Sequence, residues 1–477
     1  MIADREIWPD IPFLKKIIIG VCLYSIFVAL AHYVIPKAPL LSLMLCIMLI
    51  FIFIYSNLQI LSNKRQYFIY LSIILFKFVV LIYNARFKNL PMANVDWFNY
   101  HKFALQILNQ GNGIIDIFHN NFDLYSQLVA LIYYIFGANV AQIYFYMFLC
   151  SLIIFRFLYL TAFELTGDRK KSQITAFLFL VWPMEFLMSI AYLREMPIQC
   201  LLIISFYCFV KFIKYGNPLH FLAAVLSITL ASMMHPGMIG IVLVYVLVAL
   251  VYLVWQNRGK LKPLHICLLV IFMLLIIAAP IAYLFESSRM VGIHNINEFI
   301  ADTHRIRGNT NYVYNPPQNL AGLLIQMPYR VLMFVLAPLP WQVYDLPTLM
   351  AWVMDGFLRL FIMYRLILFF IKFRARSSAE KAIEITVILS LLVSYLLLAF
   401  GTFTYGTAMR HRTKLFPLEI LIAYPCYEML KSIKRKPNRG NPTQVSRGRF
   451  SSVKGTVHVT RLLYFVKTCH ENRPLDT

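Results

Sequence analysis

The chain has 477 residues, of which 60% are hydrophobic and 16% aromatic. Only 14% are charged, against about 25% for an ordinary soluble domain. Lys and Arg nevertheless outnumber Asp and Glu by 44 to 21, a formal net charge of +23. These values exclude a soluble globular protein, a disordered chain and a secreted disulfide scaffold.

Apolar runs of 17 residues or more recur along the sequence, each long enough for a helix to cross roughly 30 Å of hydrocarbon. They lack period-2 alternation, which counts against an outer-membrane barrel. The clearest spans are 17–33, 39–56, 67–83, 140–163, 174–191, 197–213, 219–234, 238–255, 266–286, 348–373, 382–400 and 414–430. The expected fold is an all-α polytopic membrane protein with about 12 transmembrane helices. Two shorter stretches, 122–136 and 322–341, read as interfacial or re-entrant helices on the outer face. Counting either as a full span would carry the basic turns that follow it to the outside. The first span follows Arg5, Lys15 and Lys16 with no small-residue cleavage site, and reads as a retained helix.

Basic turns orient the bundle. Lys64 and Arg65, Arg169 to Lys171, Lys211 and Lys214, Arg258 to Lys262, and Arg374 to Lys381 fall on one side, together with both termini. By the charge rule that side is cytoplasmic, which accounts for the net charge without nucleic acid as a partner. A bacterial inner (plasma) membrane is the expected location. Residues 1–430 form the transmembrane domain. Residues 431–477, with eleven Lys/Arg against Glu471 and Asp476, read as a basic, disordered cytoplasmic tail near anionic headgroups. The eight Cys (22, 46, 150, 200, 208, 267, 426 and 469) form no CxxC pair and have no ligand spacing, so no metal site is expected.

Chemistry on the outer face must come from loops 84–139 and 287–347 and from the turns near 192–196, 235–237 and 401–413. Asp96 opens an amphipathic stretch with Tyr100 one turn later on the same face and His101 beside it. A carboxylate among aromatics at the membrane surface is either a partly desolvated base or a helix cap at Trp97. Arg194 and Glu195 lie at the mouth of two spans, where charges are rare and are either functional or paired with each other. His235 occupies a Pro-Gly turn, as a ligand-facing group or a structural one. Arg410, His411, Arg412 and Lys414 place cations on the outer side, against the charge rule. They read as a phosphate or diphosphate clamp or as interface anchors. Arg289, Arg305 and Arg307, with Tyr312 and Tyr314, add cations and aromatics in the second large loop.

No Walker loop, dinucleotide fingerprint, HExxH or GxSxG elbow occurs. Charges fall at the flanks of the spans rather than in their middles, which argues against an ion-coupled transporter or a lipid-linked-glycan flippase.

The order of features resembles the GT-C class of multi-span glycosyltransferases. It runs from Asp96 with Tyr100 and Gly111-Asn112, through Tyr125, Leu128, Ala130-Leu131 and Phe136-Gly137, to Leu158-Tyr159-Leu160 with Glu164-Leu165-Thr166-Gly167. Trp182-Pro183 before Leu193-Arg194-Glu195 follows, then Pro338-Leu339-Pro340-Trp341 and Arg410, Arg412 and Pro417. The resemblance spans roughly residues 90–255, with a weaker echo at 330–430. It implies a GT-C-like fold and a polyprenyl-phosphate-linked or polyprenyl-diphosphate-linked sugar donor. The acceptor would be a glycan or lipid-linked hydroxyl, with no cofactor. Asp96 would act as base. Arg194, Arg410, His411 and Arg412 would hold the donor phosphate, and Tyr100, His101, Glu195, His235, Arg305 and Arg307 would contact substrate. The sequence departs from the protein mannosyltransferases by Asp96-Trp97 in place of an Asp-Glu pair. It lacks the acidic pairs and large soluble domain of oligosaccharyltransferases. A looser likeness to O-antigen and capsule polymerases and ligases keeps that alternative open.

Overall fold

The computed structural model describes residues 25, 28, 40–87, 97–111, 113–119, 122–257, 317, 319–372 and 378–426. Asp96, Arg289, Arg305, Arg307, Tyr312, Tyr314, the 266–286 span and the 431–477 tail lie outside the described residues.

Every regular element among the described residues is helical. The first group is α1 (Leu40–Leu58), α2 (Lys64–Phe87), α3 (Trp97–Gln110), α4 (Ile114–Phe118), α5 (Leu124–Phe136), α6 (Val140–Thr166), α7 (Arg169–Val181) and α8 (Pro183–Met188). There follow α9 (Glu195–Tyr215), α10 (Pro218–Met234) and, after a 3₁₀ turn at Pro236–Met238, α11 (Ile239–Gln256). The last group is α12 (Leu320–Leu336), α13 (Leu346–Ala351), α14 (Phe357–Lys372), α15 (Ser378–Phe400), α16 (Tyr405–Thr413) and α17 (Phe416–Leu421). Among the described residues five stretches are long and apolar enough to cross a membrane: Lys64–Phe87, Val140–Thr166, Glu195–Tyr215, Pro236–Gln256 and Ser378–Phe400.

Local chemistry sets the boundaries. Asn139 opens α6 by accepting from the Ala141 amide at 2.9 Å. Gly167 closes it in the left-handed region at φ +66°, a conformation that costs a glycine little. Asp168 at once caps α7 by accepting from Lys171 N at 3.1 Å. Asn217 caps α10, and Pro218 takes the first helical position, where a missing N–H costs nothing. The expected span 174–191 is not one helix. It stops at Trp182 and restarts at Pro183, because the proline ring excludes a continuous hydrogen-bond ladder. The 322–341 stretch forms α12 and then breaks into a 3₁₀ turn at Pro340–Gln342, as its prolines require. The 122–136 stretch is the 13-residue α5, capped by Asp123.

Hydrogen bonds show which helix ends meet. At one end Gln66 Nε2 meets Gln173 Oε1 at 3.0 Å. Glu164 there receives Lys211 at 3.4 Å and the Tyr215 hydroxyl at 3.0 Å. The basic turns after α1, α6 and α9 therefore share one end. At the opposite end Asn84 Nδ2 donates to Ile190 O at 2.7 Å, beside the heads of α9 and α11. The core between them is aromatic and aliphatic, with Tyr144, Phe145, Phe148, Leu152 and Phe155 of α6 fully buried. Helices α11 and α15 approach so closely that a Cβ on Gly240 would collide with Val393 and Leu397.

The expectation of charge-free span centres is overturned. Lys77 in mid-α2, Glu185 in α8, Arg359 in α14 and Glu419 in α17 are all buried. They turn inward toward partners instead of lipid: Arg359 pairs with Glu419, and the Lys77 ammonium lies 5.3 Å from the centre of the Phe186 ring. Hydropathy averaged over a span conceals single charges of this kind.

Candidate active site

Two groups of charged side chains are built around buried carboxylates, the second of them at the end of the bundle opposite the basic turns. The first is the sealed one. Asp355 sits in a π-helical turn, Trp352–Gly356, between α13 and α14. Its carboxylate receives Arg412 Nε at 2.6 Å and lies 3.5 Å from Arg359. Arg359 also grips Glu419, which accepts the Tyr395 hydroxyl at 2.5 Å. Two cations thus face two carboxylates, each at most 1% exposed. A buried set of this kind is tolerable because its charge balances.

Helix ends supply further acceptors. Arg412 Nη1 donates to Phe334 O and Val335 O, both at 3.1 Å, in the last turn of α12. Arg330 Nη2 donates to Phe400 O, the last carbonyl of α15, at 2.7 Å. Arg194 Nη1 donates to Met234 O, the last of α10, at 3.0 Å. Three buried arginines therefore terminate three helices. Each meets carbonyls that lack an intrahelical partner and carry the negative end of the helix dipole.

The second group is built around Glu195, which is fully buried at the head of α9. One of its oxygens lies 3.1 Å from Arg410 Nη2 and 3.5 Å from Lys414 Nζ. Arg194, only 5% exposed, precedes it in the chain. Among the described residues three cations gather at this carboxylate. Arg410 keeps 14% of its side chain exposed. Next to it His411 meets His235 edge to face, with ring centroids 4.8 Å apart. The turn after α10 and the helix α16 thus converge, although more than 170 residues of sequence separate His235 from His411.

Aromatic rings tie this group to α3. The Arg194 guanidinium lies 5.9 Å from the centre of the Tyr100 ring. Tyr100 meets Tyr125 edge to face at 4.8 Å, and Trp97 lies 6.5 Å from Tyr192. His101 Nδ1 is 3.0 Å from the Tyr133 hydroxyl. Burial pushes the Tyr133 phenol well up, so it stays protonated at neutral pH. The first turn of α3 therefore abuts the cation group, and Asp96 is the residue immediately before that turn.

Arg194, Glu195, Arg410, His411, His235 and Tyr100 gather at this end as one group, with His101 one ring farther out. Arg412 belongs to the sealed set, committed to Asp355 and two carbonyls. Glu195 is enclosed and holds Arg410 and Lys414 in place. Sequence reasoning assigned no role to Asp355, Arg359, Glu419 or Arg330. The π-turn at Trp352–Gly356 carries no sequence mark, and the partners lie 57 to 78 residues from Arg412. Among the described residues no group of three or more His, Cys, Asp or Glu is placed to hold a metal ion.

Residues 124–283 match the family model described as dolichyl-phosphate-mannose-protein mannosyltransferase. The matched segment is about a third of the chain and contains α5 to α11, including Arg194, Glu195 and His235. The match agrees with the likeness to the GT-C class read from the sequence. No curated protein matches the sequence. Among solved structures the chain is similar to the archaeal oligosaccharyltransferase AglB from Archaeoglobus fulgidus in complex with an inhibitory peptide and a dolichol-phosphate. Identity is 13%, the TM-score 0.40, and the match covers 87% of this chain and 53% of that one. The chain thus spans about half the length of that protein.

Proposed function

We propose that the chain transfers a sugar or glycan from a polyprenyl-phosphate or polyprenyl-diphosphate donor to an acceptor hydroxyl. The reaction takes place at the outer face of the membrane, in the synthesis of a cell-surface polysaccharide or glycoconjugate. The observation that carries this reading is the gathering of cations around Glu195, with Arg410 partly exposed. Arg194, Arg410 and Lys414 crowd one buried carboxylate. A cation cluster with a partly exposed guanidinium suits an anionic ligand, which Arg can hold with charge-assisted hydrogen bonds. A lipid phosphate supplies that anion at the height where the cations lie.

In this reading the donor enters laterally from the outer leaflet. Asp96 takes the proton of the acceptor hydroxyl as that oxygen attacks the anomeric carbon. Arg410, backed by Glu195, meets the departing phosphate, and Arg194 adds positive potential from behind Tyr100. Arg412 acts at one remove, fixing α16 and so the direction of Arg410. Arg305 and Arg307 are proposed to line the donor headgroup, and Tyr100 and His101 the sugar or the acceptor. No step requires a metal.

The test uses purified full-length protein in lipid vesicles and labelled polyprenyl-phosphate mannose, the sugar named by the family match, alongside other polyprenyl-linked sugars. Wild type should form a glycosylated product. Asp96→Asn should abolish transfer while the protein still folds and binds donor. Full activity in Asp96→Asn would remove Asp96 from the mechanism. Donor that crosses the bilayer without product forming would favour a lipid-linked-glycan flippase.

A further inference from the structure

Polar side chains tie together the corner where α1 turns into α2 and α6 turns into α7. Gln173, buried in α7, donates from Nε2 to Ile60 O at 2.8 Å and to Ser62 Oγ at 2.6 Å, both in the turn before α2. Its Oε1 accepts from Gln66 Nε2 at 3.0 Å, and Gln66 Oε1 accepts from Ser62 N at 2.7 Å. Asn63 caps α2 by accepting from Gln66 N at 2.9 Å. The first turns of α2 and α7 are therefore held side by side, both helices starting at this corner.

These two turns carry Lys64, Arg65, Arg169 and Lys170, all four exposed. Among the described residues no carboxylate forms an ion pair with any of them. Asp168 serves the α7 cap and Lys171, 3.7 Å away. Glu164, at the same end, is taken by Lys211 and Tyr215. The medium beside the corner follows from α2, which is long and apolar enough to cross a membrane. Below Lys64 the residues Phe68, Leu71, Leu75 and Val79 recur at helical spacing on one face, and each is at least 44% exposed. Apolar side chains exposed on such a helix meet acyl chains. Lys64 stands roughly 6 Å farther along the axis than Phe68, at headgroup height, with Arg65 next to it and Arg169 and Lys170 on the adjoining turn.

We propose that this corner binds the phosphate of an anionic phospholipid, of the phosphatidylglycerol type, in the leaflet at that end of the bundle. Arginine holds phosphate through paired charge-assisted hydrogen bonds and lysine holds it as a point charge. Each cation near an anionic headgroup adds attraction, which the ammonium of a zwitterionic headgroup opposes. The acyl chains lie along Phe68, Leu71 and Leu75. The site is at the end opposite the Glu195 group and does not depend on the glycosyl-transfer reading.

The experiment releases purified full-length protein from bilayers of equal parts phosphatidylglycerol and phosphatidylcholine and counts the retained lipids by native mass spectrometry. Wild type should retain phosphatidylglycerol over phosphatidylcholine by about tenfold. Arg65→Gln with Arg169→Gln, one cation from each turn, should cut the preference to about twofold. The control is Lys214→Gln with Lys381→Gln, which removes the same charge at the same end, where Lys214 and Glu380 line one cavity. It should keep the wild-type preference. Equal retention of the two lipids by wild type overturns the proposal. So does a corner variant that keeps the preference or loses no more of it than the control, since that result describes diffuse surface charge. Melting in detergent reports whether each variant folds. If the first corner variant does not, Lys64→Gln with Lys170→Gln replaces it under the same expectation.

Discussion

The two charged groups use similar residues and differ in exposure. Asp355, Arg359, Arg412 and Glu419 pair two cations with two carboxylates and are sealed. Around Glu195, among the described residues, three cations gather, and Arg410 stays partly open. The sealed set has no exposed member to meet a ligand, whereas the proposed site has Arg410. The contrast separates arginines that look equivalent in sequence. Arg410 and Arg412 are two residues apart on α16, yet one faces the site and the other anchors the helix that carries it.

The sharpest way to break this contrast is to damage the sealed set. Asp355→Ala strands Arg412 and Arg359 in the interior and should cost about 3–5 kcal/mol. It should be read as a large fall in melting temperature in detergent, with activity lost alongside. Arg410→Gln should act in the opposite sense. It should melt like wild type and lose about a hundredfold in kcat/KM, the size of one missing oxyanion contact. Equal melting of both variants would erase the distinction between anchor and site. Tyr100→Leu removes the ring beside Arg194 and should raise KM roughly fivefold, equivalent to about 1 kcal/mol of cation–π attraction. The smallest effect belongs at the far end. Glu164→Gln loosens Lys211 and Lys214 at a partly exposed pair worth about 1 kcal/mol or less. Transfer rates should not change, and a strong loss of activity there would mean that the chemistry is not confined to one end.

Much of this was legible in the sequence. Gly167-Asp168, Asn217-Pro218 and Trp182-Pro183 mark helix stops and starts through backbone chemistry that needs no tertiary contact. Arg194, His235, Arg410 and His411 stood out because charge and turn residues between apolar runs have few bland explanations. The sealed set was not legible. Arg359 and Glu419 are single charges inside apolar stretches, and their pairing depends on how α14 and α17 pack. The role of Arg412 was hidden for the same reason, since the carbonyls it closes belong to a helix far away in the chain.

The most direct measurement compares binding of a short-chain polyprenyl phosphate and the matching uncharged polyprenol to the purified full-length protein. A cation group that holds a lipid phosphate, as proposed, should bind the phosphate at least about a hundredfold more tightly, roughly 2.7 kcal/mol. Most of that preference should disappear in Arg410→Gln and survive in Glu164→Gln. Equal affinity for the phosphate and the alcohol in wild type would contradict it.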